Sequence, residues 1–354
     1  MSRRYDCALV VGKFAPPHKG HQLLIETARA ESGRVVVLVW SNPDFPAMPS
    51  ATRADWLRAL YPDAEVFVPE DPPPDDAPDD VHRAFVRRWL EARGLRPDVV
   101  FTSEAYGAGF AAHLGVAHRA VDPARSRVPI SGTLVRADPH AHRVLLDPRI
   151  YRHFVERVVF LGAESTGKST LARRMAEEMG TAFVPEYGRT HYEEKGGELA
   201  LEDYIAIARG HRAREDEAIL GANRYLFIDT NAITTMFFSH YYNQDSLPEL
   251  RALARECRGR YHHVFVCADD IPFEQDGWRD NEVWRGRMQG LVLYDLTVRE
   301  IPYHLVTGPL GERVRQVRAV LQGESRPTSP LRMRSLGPRG PGSSPSTGEA
   351  SQDG

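Results

Sequence analysis

Short apolar runs rich in β-branched residues alternate along the chain with stretches of helical composition. Residues 7–11 (Cys-Ala-Leu-Val-Val) and 34–40 (Arg-Val-Val-Val-Leu-Val-Trp) read as buried strands, and 22–30 between them as a helix with Leu23, Leu24 and Ala28 on its apolar face. Farther on, 53–58 reads as an amphipathic helix, 65–68 as a strand, 81–94 as a helix and 99–104 as a strand with a polar end. A second series opens at 158–161 and continues with strands ending near Val184, at 225–229, 264–267 and 303–306. Helices are expected after Lys168, over 201–220 and over 313–321. Strand-helix-strand repetition implies parallel sheets that bind ligands at their carboxyl ends. The fold class expected is therefore α/β, with two parallel-sheet domains at 5–150 and 155–322 and a disordered tail at 323–354. From residue 323 onward, serine, proline, glycine and arginine leave too little apolar surface to offset ordering.

Composition narrows the function. A length of 354 residues suits two domains, each with its own core. A net charge of −3 gives no footprint for nucleic acid or an anionic membrane. Cys7, Cys257 and Cys267 are too scattered for a disulfide framework or a zinc cluster and suit a reducing compartment. No apolar run approaches a membrane span, so a cytoplasmic enzyme acting on small molecules is expected. Oligomeric state stays open, a homo-oligomer included. Residues 69–80 (PEDPPPDDAPDD) form an acidic, proline-rich stretch, read as a solvated surface loop, with a cover over the active site as the alternative.

The sharpest chemistry follows residues 158–161. Gly162-Ala163-Glu164-Ser165-Thr166-Gly167-Lys168-Ser169-Thr170 fits G-x-x-x-x-G-K-[ST] between a strand and a helix. Its glycines let successive N–H groups form an anion nest, and the helix start adds its positive end. Lys168 would reach the phosphates and Ser169 would hold Mg²⁺. Asp229, ending an apolar strand, is placed as a Mg²⁺-ordering carboxylate. Glu186 and Arg189 follow another strand end, and the arginines near Asp276–Asp280, with Arg285 and Arg287, are candidates for a closing lid.

In the first half, Gly12, Lys13, Phe14, Pro16, His18, Gly20 and His21 follow the first strand. Two imidazoles at a helix start can donate to phosphate oxygens, and Gly20 lets a nucleotide approach the backbone. The string G-x-F-x-P-x-H-x-G-H resembles the signature of the nucleotidyltransferase superfamily. Ile130-Ser131-Gly132-Thr133-Leu134-Val135-Arg136 resembles its second box, in which Ser131, Gly132, Thr133 and Arg136 grip the triphosphate from the other side. Trp40, after the second strand, is a candidate for stacking on an aromatic base.

An adenylyltransferase-type half followed at once by a P-loop half resembles the NadR-type bifunctional enzymes over roughly residues 5–321. Thr102-Ser103-Glu104, Val121-Asp122-Pro123, Glu186-Tyr187-Gly188-Arg189, Phe227-Ile228-Asp229-Thr230 and Asp276-Gly277-Trp278-Arg279 add to the likeness. The resemblance implies a ribosylnicotinamide kinase that makes nicotinamide mononucleotide (NMN) from nicotinamide riboside and MgATP. Lys168 would hold phosphate, Ser169 and Asp229 Mg²⁺, Glu186 the hydroxyl proton or the ribose with Asp229 as its competitor, and Arg279 the transferring group. It also implies an adenylyltransferase in which NMN attacks the α-phosphate of a second ATP to give NAD and pyrophosphate. There His18, His21, Arg136 and Mg²⁺ would neutralise charge, helped by Lys13. Some members carry an N-terminal DNA-binding domain; about six residues precede the first strand here, so that role is not expected. Phosphate motifs do not name the acceptor. A fusion acting on another nucleoside or vitamin, and a sensor that binds ATP or NAD without turnover, are the competing readings.

Overall fold

The structure is a computed structural model that describes residues 3–273 and 282–324. Its first sheet contains β1 (Tyr5–Gly12), β2 (Ser32–Val39), β3 (Glu65–Phe67), β4 (Val99–Thr102) and β5 (Ala117–Ala120), all parallel, in the order β3-β2-β1-β4-β5. Successive crossovers change direction between β1 and β4, which opens a crevice at their carboxyl ends. Alternate residues of β1 and β2 serve two cores. Ala8, Val10, Val35 and Val37 pack with Leu24, Ile25 and Leu57, while Cys7, Leu9, Val36 and Leu38 pack with Val86, Trp89, Leu90 and Phe110. Burial on both faces is why these strands read as unbroken apolar runs. Each fully buried Val, Leu or Ile contributes about 1.5–3 kcal/mol.

β5 was not expected. It reads Ala-His-Arg-Ala, without a β-branched run, and lies at the sheet edge. His118 is bonded to Thr102 Oγ1 (2.9 Å) and Arg119 is paired with Glu31, so charged and polar side chains clothe the edge.

The second sheet contains β6 (Glu156–Leu161), β7 (Phe183–Val184), β8 (Tyr225–Asp229), β9 (His263–Cys267) and β10 (His304–Val306), in the order β10-β9-β6-β8-β7. β9 runs parallel to β6 and β10. Phe160 stacks at 6.1 Å from Phe227 and 5.5 Å from Phe265, which ties the three central strands together on one face. Helix Ala232–Asn243 was also missed, because Ala232, Ile233, Thr234, Thr235, Met236 and Ser239 are all buried and leave no one-sided apolar stripe.

By compactness the chain forms two units. One takes in the chain up to Glu156 with Met179–Val184 and Arg212–Leu226, and the other takes in the rest. Among the described residues no helix is long and apolar enough to cross a membrane. The expected disordered tail falls almost wholly outside the described residues.

Candidate active sites

A cavity of about 480 Å³ lies at the carboxyl ends of β1 and β4, lined by Gly12, Lys13, Phe14, His21, Ser131, Gly132, Thr133 and Arg136 among others. Helix Lys19–Glu31 starts at this cavity with an unusual cap. His18 is the N-cap, and its Nδ1 accepts from the Gly20 amide (3.2 Å). His21 Nδ1 accepts in return from the His18 amide (3.3 Å), and the two rings stack at 3.8 Å. Two imidazoles thus do the work of a capping box. With Nδ1 accepting, each neutral ring carries its proton on Nε2, as a hydrogen-bond donor. Burial, then the Arg125 and Arg136 charges, push the His18 pKa down to about 4. Burial, His18 and Arg125 hold His21 well below the usual range. Both rings are therefore neutral donors at pH 7 in this state, and the positive charge comes from arginines and Lys13.

Helix Gly132–Ala137 brings the second box to the same cavity. Ser131 caps it, with Oγ accepting from the Leu134 amide (3.3 Å). Arg136 donates to Thr133 Oγ1 (3.0 Å) and to Ala15 O (2.6 Å), so the box grips the β1 loop from across the cavity. A Cβ at Gly132 would stand 3.1 Å from the Arg136 guanidinium and 3.2 Å from Ala15 O, so a side chain there would press the two boxes apart by a few tenths of an ångström.

Two arginines were missed by sequence reasoning. Arg125 lines the cavity and pairs with Glu104 (2.9 Å). The loop that carries it is shaped by Asp122, whose carboxylate accepts from the amides of Ser126, Arg127 and Val128. Arg53 is fully buried and donates to Met48 O (2.9 Å), Trp40 O (3.0 Å) and Lys13 O, joining the ends of β1 and β2. Its signal was its position four residues before Leu57, on the buried face of helix Ser50–Leu60. Trp40 lines the cavity, yet it is 6% exposed and packs against His82 and Phe85. The 69–80 stretch is not simply a solvated loop. Asp75 reaches the cavity and pairs with Lys13 at 2.7 Å, and Pro72 O and Pro73 O accept from Asn42 Nδ2.

The second candidate site lies at the carboxyl end of β6. Gly162 has φ +135°, and a Cβ there would meet Cys267 O at 2.7 Å, so only glycine fits this bend. Ser165 (φ +56°) and Gly167 (φ +79°) complete the turn, and helix Lys168–Met179 begins directly after it. Lys168 Nζ donates to Ala163 O (2.7 Å), while Ser169 and Thr170 are exposed in the first turn. Gln289 fixes the loop from helix Glu282–Val298: it accepts from the Ala163 amide (2.9 Å) and donates to Cys267 O (3.0 Å). Arg313, 2% exposed, donates to Thr166 O (2.6 Å), Ala268 O (3.0 Å) and Gly308 O (2.7 Å).

Glu186, Asp229, Lys168, Arg189 and Glu164 share one electrostatic neighbourhood. Burial first, and then the Asp229 carboxylate, push the Glu186 pKa up to about 7, against the pull of Lys168 and Arg189. Asp229 is 1% exposed and its Oδ1 has no hydrogen-bond partner among the described residues, an orphaned carboxyl oxygen that suits a divalent cation. The lid expectation changes. Arg285 belongs to helix Glu282–Val298, is buried, and donates to Asp269 O and Ile271 O (2.8 Å), so it is a structural tie instead of a mobile cation. Arg279, and the Asp276–Asp280 stretch around it, lie outside the described residues.

Family models match each half: cytidylyltransferase-like over residues 9–138 and AAA domain over 157–313. A curated relative, the trifunctional NAD biosynthesis/regulator protein NadR of Escherichia coli (strain K12), is 30% identical over 320 residues, covering 83% of this chain and 77% of the relative. The protein of the same name from Salmonella typhimurium is 30% identical over 324 residues, covering 85% and 78%. Among solved structures, a NadR protein in complex with NR superposes with TM-score 0.67 at 20% identity, covering 92% of this chain and 97% of that one. A NadR protein in complex with NAD and AMP-PNP gives 0.65 at 20% identity, covering 90% and 96%. These two show the same fold.

Proposed function

This chain belongs to the NadR family, and from that premise we propose that it makes NAD in two steps, each using one of its ATP sites. In the P-loop half, the 5′-hydroxyl of nicotinamide riboside attacks the γ-phosphate of ATP, giving NMN and ADP. Lys168 and the loop amides hold the phosphates. Glu186, with its pKa near 7, takes the hydroxyl proton, since a base is most effective when its pKa lies near the working pH. Ser169 and Asp229 would hold Mg²⁺, which supplies charge neutralisation at the phosphates when bound. In the first half, the phosphate of NMN attacks the α-phosphate of a second ATP and pyrophosphate leaves. That nucleophile is already anionic, so the site needs electrostatic stabilisation more than a base. The Nε2–H groups of His18 and His21 donate to the phosphates, and Arg136 and Lys13 supply charge.

The observation that carries this reading is the pairing, in one chain, of an imidazole-capped helix at β1 with a P-loop at β6. The reaction is set in the cytoplasm, with small molecules as partners; Cys7, Cys257 and Cys267 are buried in the fold and form no disulfide. The test is turnover. Purified protein with MgATP and nicotinamide riboside yields NMN and then NAD. Lys168→Ala stops NMN formation while NAD still forms from added NMN, and His21→Ala does the reverse. Failure to consume nicotinamide riboside or NMN above a no-enzyme control rejects the acceptor. Nucleotide binding without any product would favour the sensor reading.

A further inference from the structure

The Lys13 ammonium, one of the cations available to a triphosphate in the β1 cavity, already has an anion on it. Asp75 Oδ1 lies 2.7 Å and Oδ2 2.8 Å from Lys13 Nζ, a two-oxygen grip that occupies the ammonium much as a phosphate would. Asp75 comes from the proline-rich stretch 69–80, far from Lys13 in sequence. It is held near the cavity by Asn42 Nδ2, which donates to Pro72 O (2.6 Å) and Pro73 O (3.2 Å). Three consecutive prolines, Pro72–Pro74, restrict the backbone leading to Asp75, so the carboxylate is delivered with little loss of freedom. The pair is also half exposed, 42% for Lys13 and 47% for Asp75. A pair so exposed contributes little to the stability of the fold and can be exchanged for another anion.

We propose that Asp75 is an affinity-determining residue of the adenylyltransferase site, a built-in carboxylate that competes with the substrate's phosphates for Lys13. This rests on the reading of the β1 cavity as that site. Competition has a defined kinetic form. An internal anion lowers the affinity of every ligand that must displace it by one common factor and leaves the bound complex unchanged. It therefore raises KM for ATP without changing kcat. It also weakens retention of pyrophosphate, provided that product leaves from the same ammonium. Asp75 is thus a positioning competitor, not a catalytic residue.

The experiment uses the full chain and measures NAD formation from NMN and ATP, together with inhibition by pyrophosphate. Asp75→Asn keeps the shape and removes the charge. The expected result is a two- to fivefold fall in KM for ATP, the order of effect that an exposed ion pair carries, with kcat unchanged and the inhibition constant of pyrophosphate lowered by the same factor. In a Lys13→Gln background, Asp75→Asn changes nothing further, because the two residues act through one contact. An unchanged or raised KM in Asp75→Asn overturns the inference, as does an equal fall in the Lys13→Gln background. Wild-type protein that makes no NAD from NMN refutes the reading of the site itself, so the two failures are distinguishable. KM for ATP in the nicotinamide riboside reaction is the internal control and stays constant.

Discussion

Glu186 and Asp229 are two carboxylates that influence each other, and their surroundings send them to different tasks. Glu186 is raised to about 7 by burial and by its neighbour's charge, whereas Asp229 keeps an oxygen with no hydrogen-bond partner among the described residues. A base has to be unprotonated, so the phosphorylation rate should fall about tenfold per pH unit below 7 and level off above 8. Glu186→Gln should remove that acid limb and lower kcat by about 10²–10⁴. The sign for stability is opposite. A carboxyl pKa raised by folding means that stability, complete below the unfolded value near 4.5, is lost as pH rises through 7. Glu186→Gln should therefore melt higher than wild type at pH 8, and calorimetry of the pair at pH 5 and pH 8 checks it. The sequence made His18, His21, Lys168 and Glu186 visible because strand-loop-helix strings give each a fixed local place. Arg125 and Asp75 stayed invisible, since each matters only through residues distant in the chain: His18 for Arg125 and Lys13 for Asp75.

Between elements, buried arginines act as rivets. Arg53 joins the ends of β1 and β2 by donating to three carbonyls, and Arg313 joins the P-loop to the chain after β9 and β10 in the same way. Arg53→Met should fit the space while leaving those carbonyls without donors. We expect a loss of roughly 2–5 kcal/mol in urea unfolding, and NAD formation should fall more than NMN formation because Lys13 loses its anchor. Helix Lys19–Glu31 was legible from its apolar stripe, and Leu201–Ala218 from its length and helix-forming composition. The short polar edge strand β5 and helix Ala232–Asn243 were not: an edge strand needs no apolar run, and a helix buried on most sides shows no stripe.

At the scale of the molecule, two parallel sheets carry two phosphate-binding loops, each placed directly after the first strand of its sheet. Starting from nicotinamide riboside, the chain should consume two ATP per NAD and release ADP and pyrophosphate in equal amounts. Starting from NMN, it should consume one ATP and release pyrophosphate alone; quantifying the three products by chromatography decides. Strand order has a further consequence for how the protein is made. β1 lies between β2 and β4, with Ala8 in register with Val35 on one side and Val99 on the other, and β6 lies between β8 and β9. The ribosome thus releases first, in each sheet, the strand whose second neighbour is completed much later. Leu9 and Val10, wholly buried in the finished protein, wait for β4 with one edge unpaired. Synthesis therefore passes through an interval in which a buried central strand of each sheet is open to wrong partners, and closing it by long-range parallel pairing is slow. Yield from the ribosome should therefore depend on holdase chaperones.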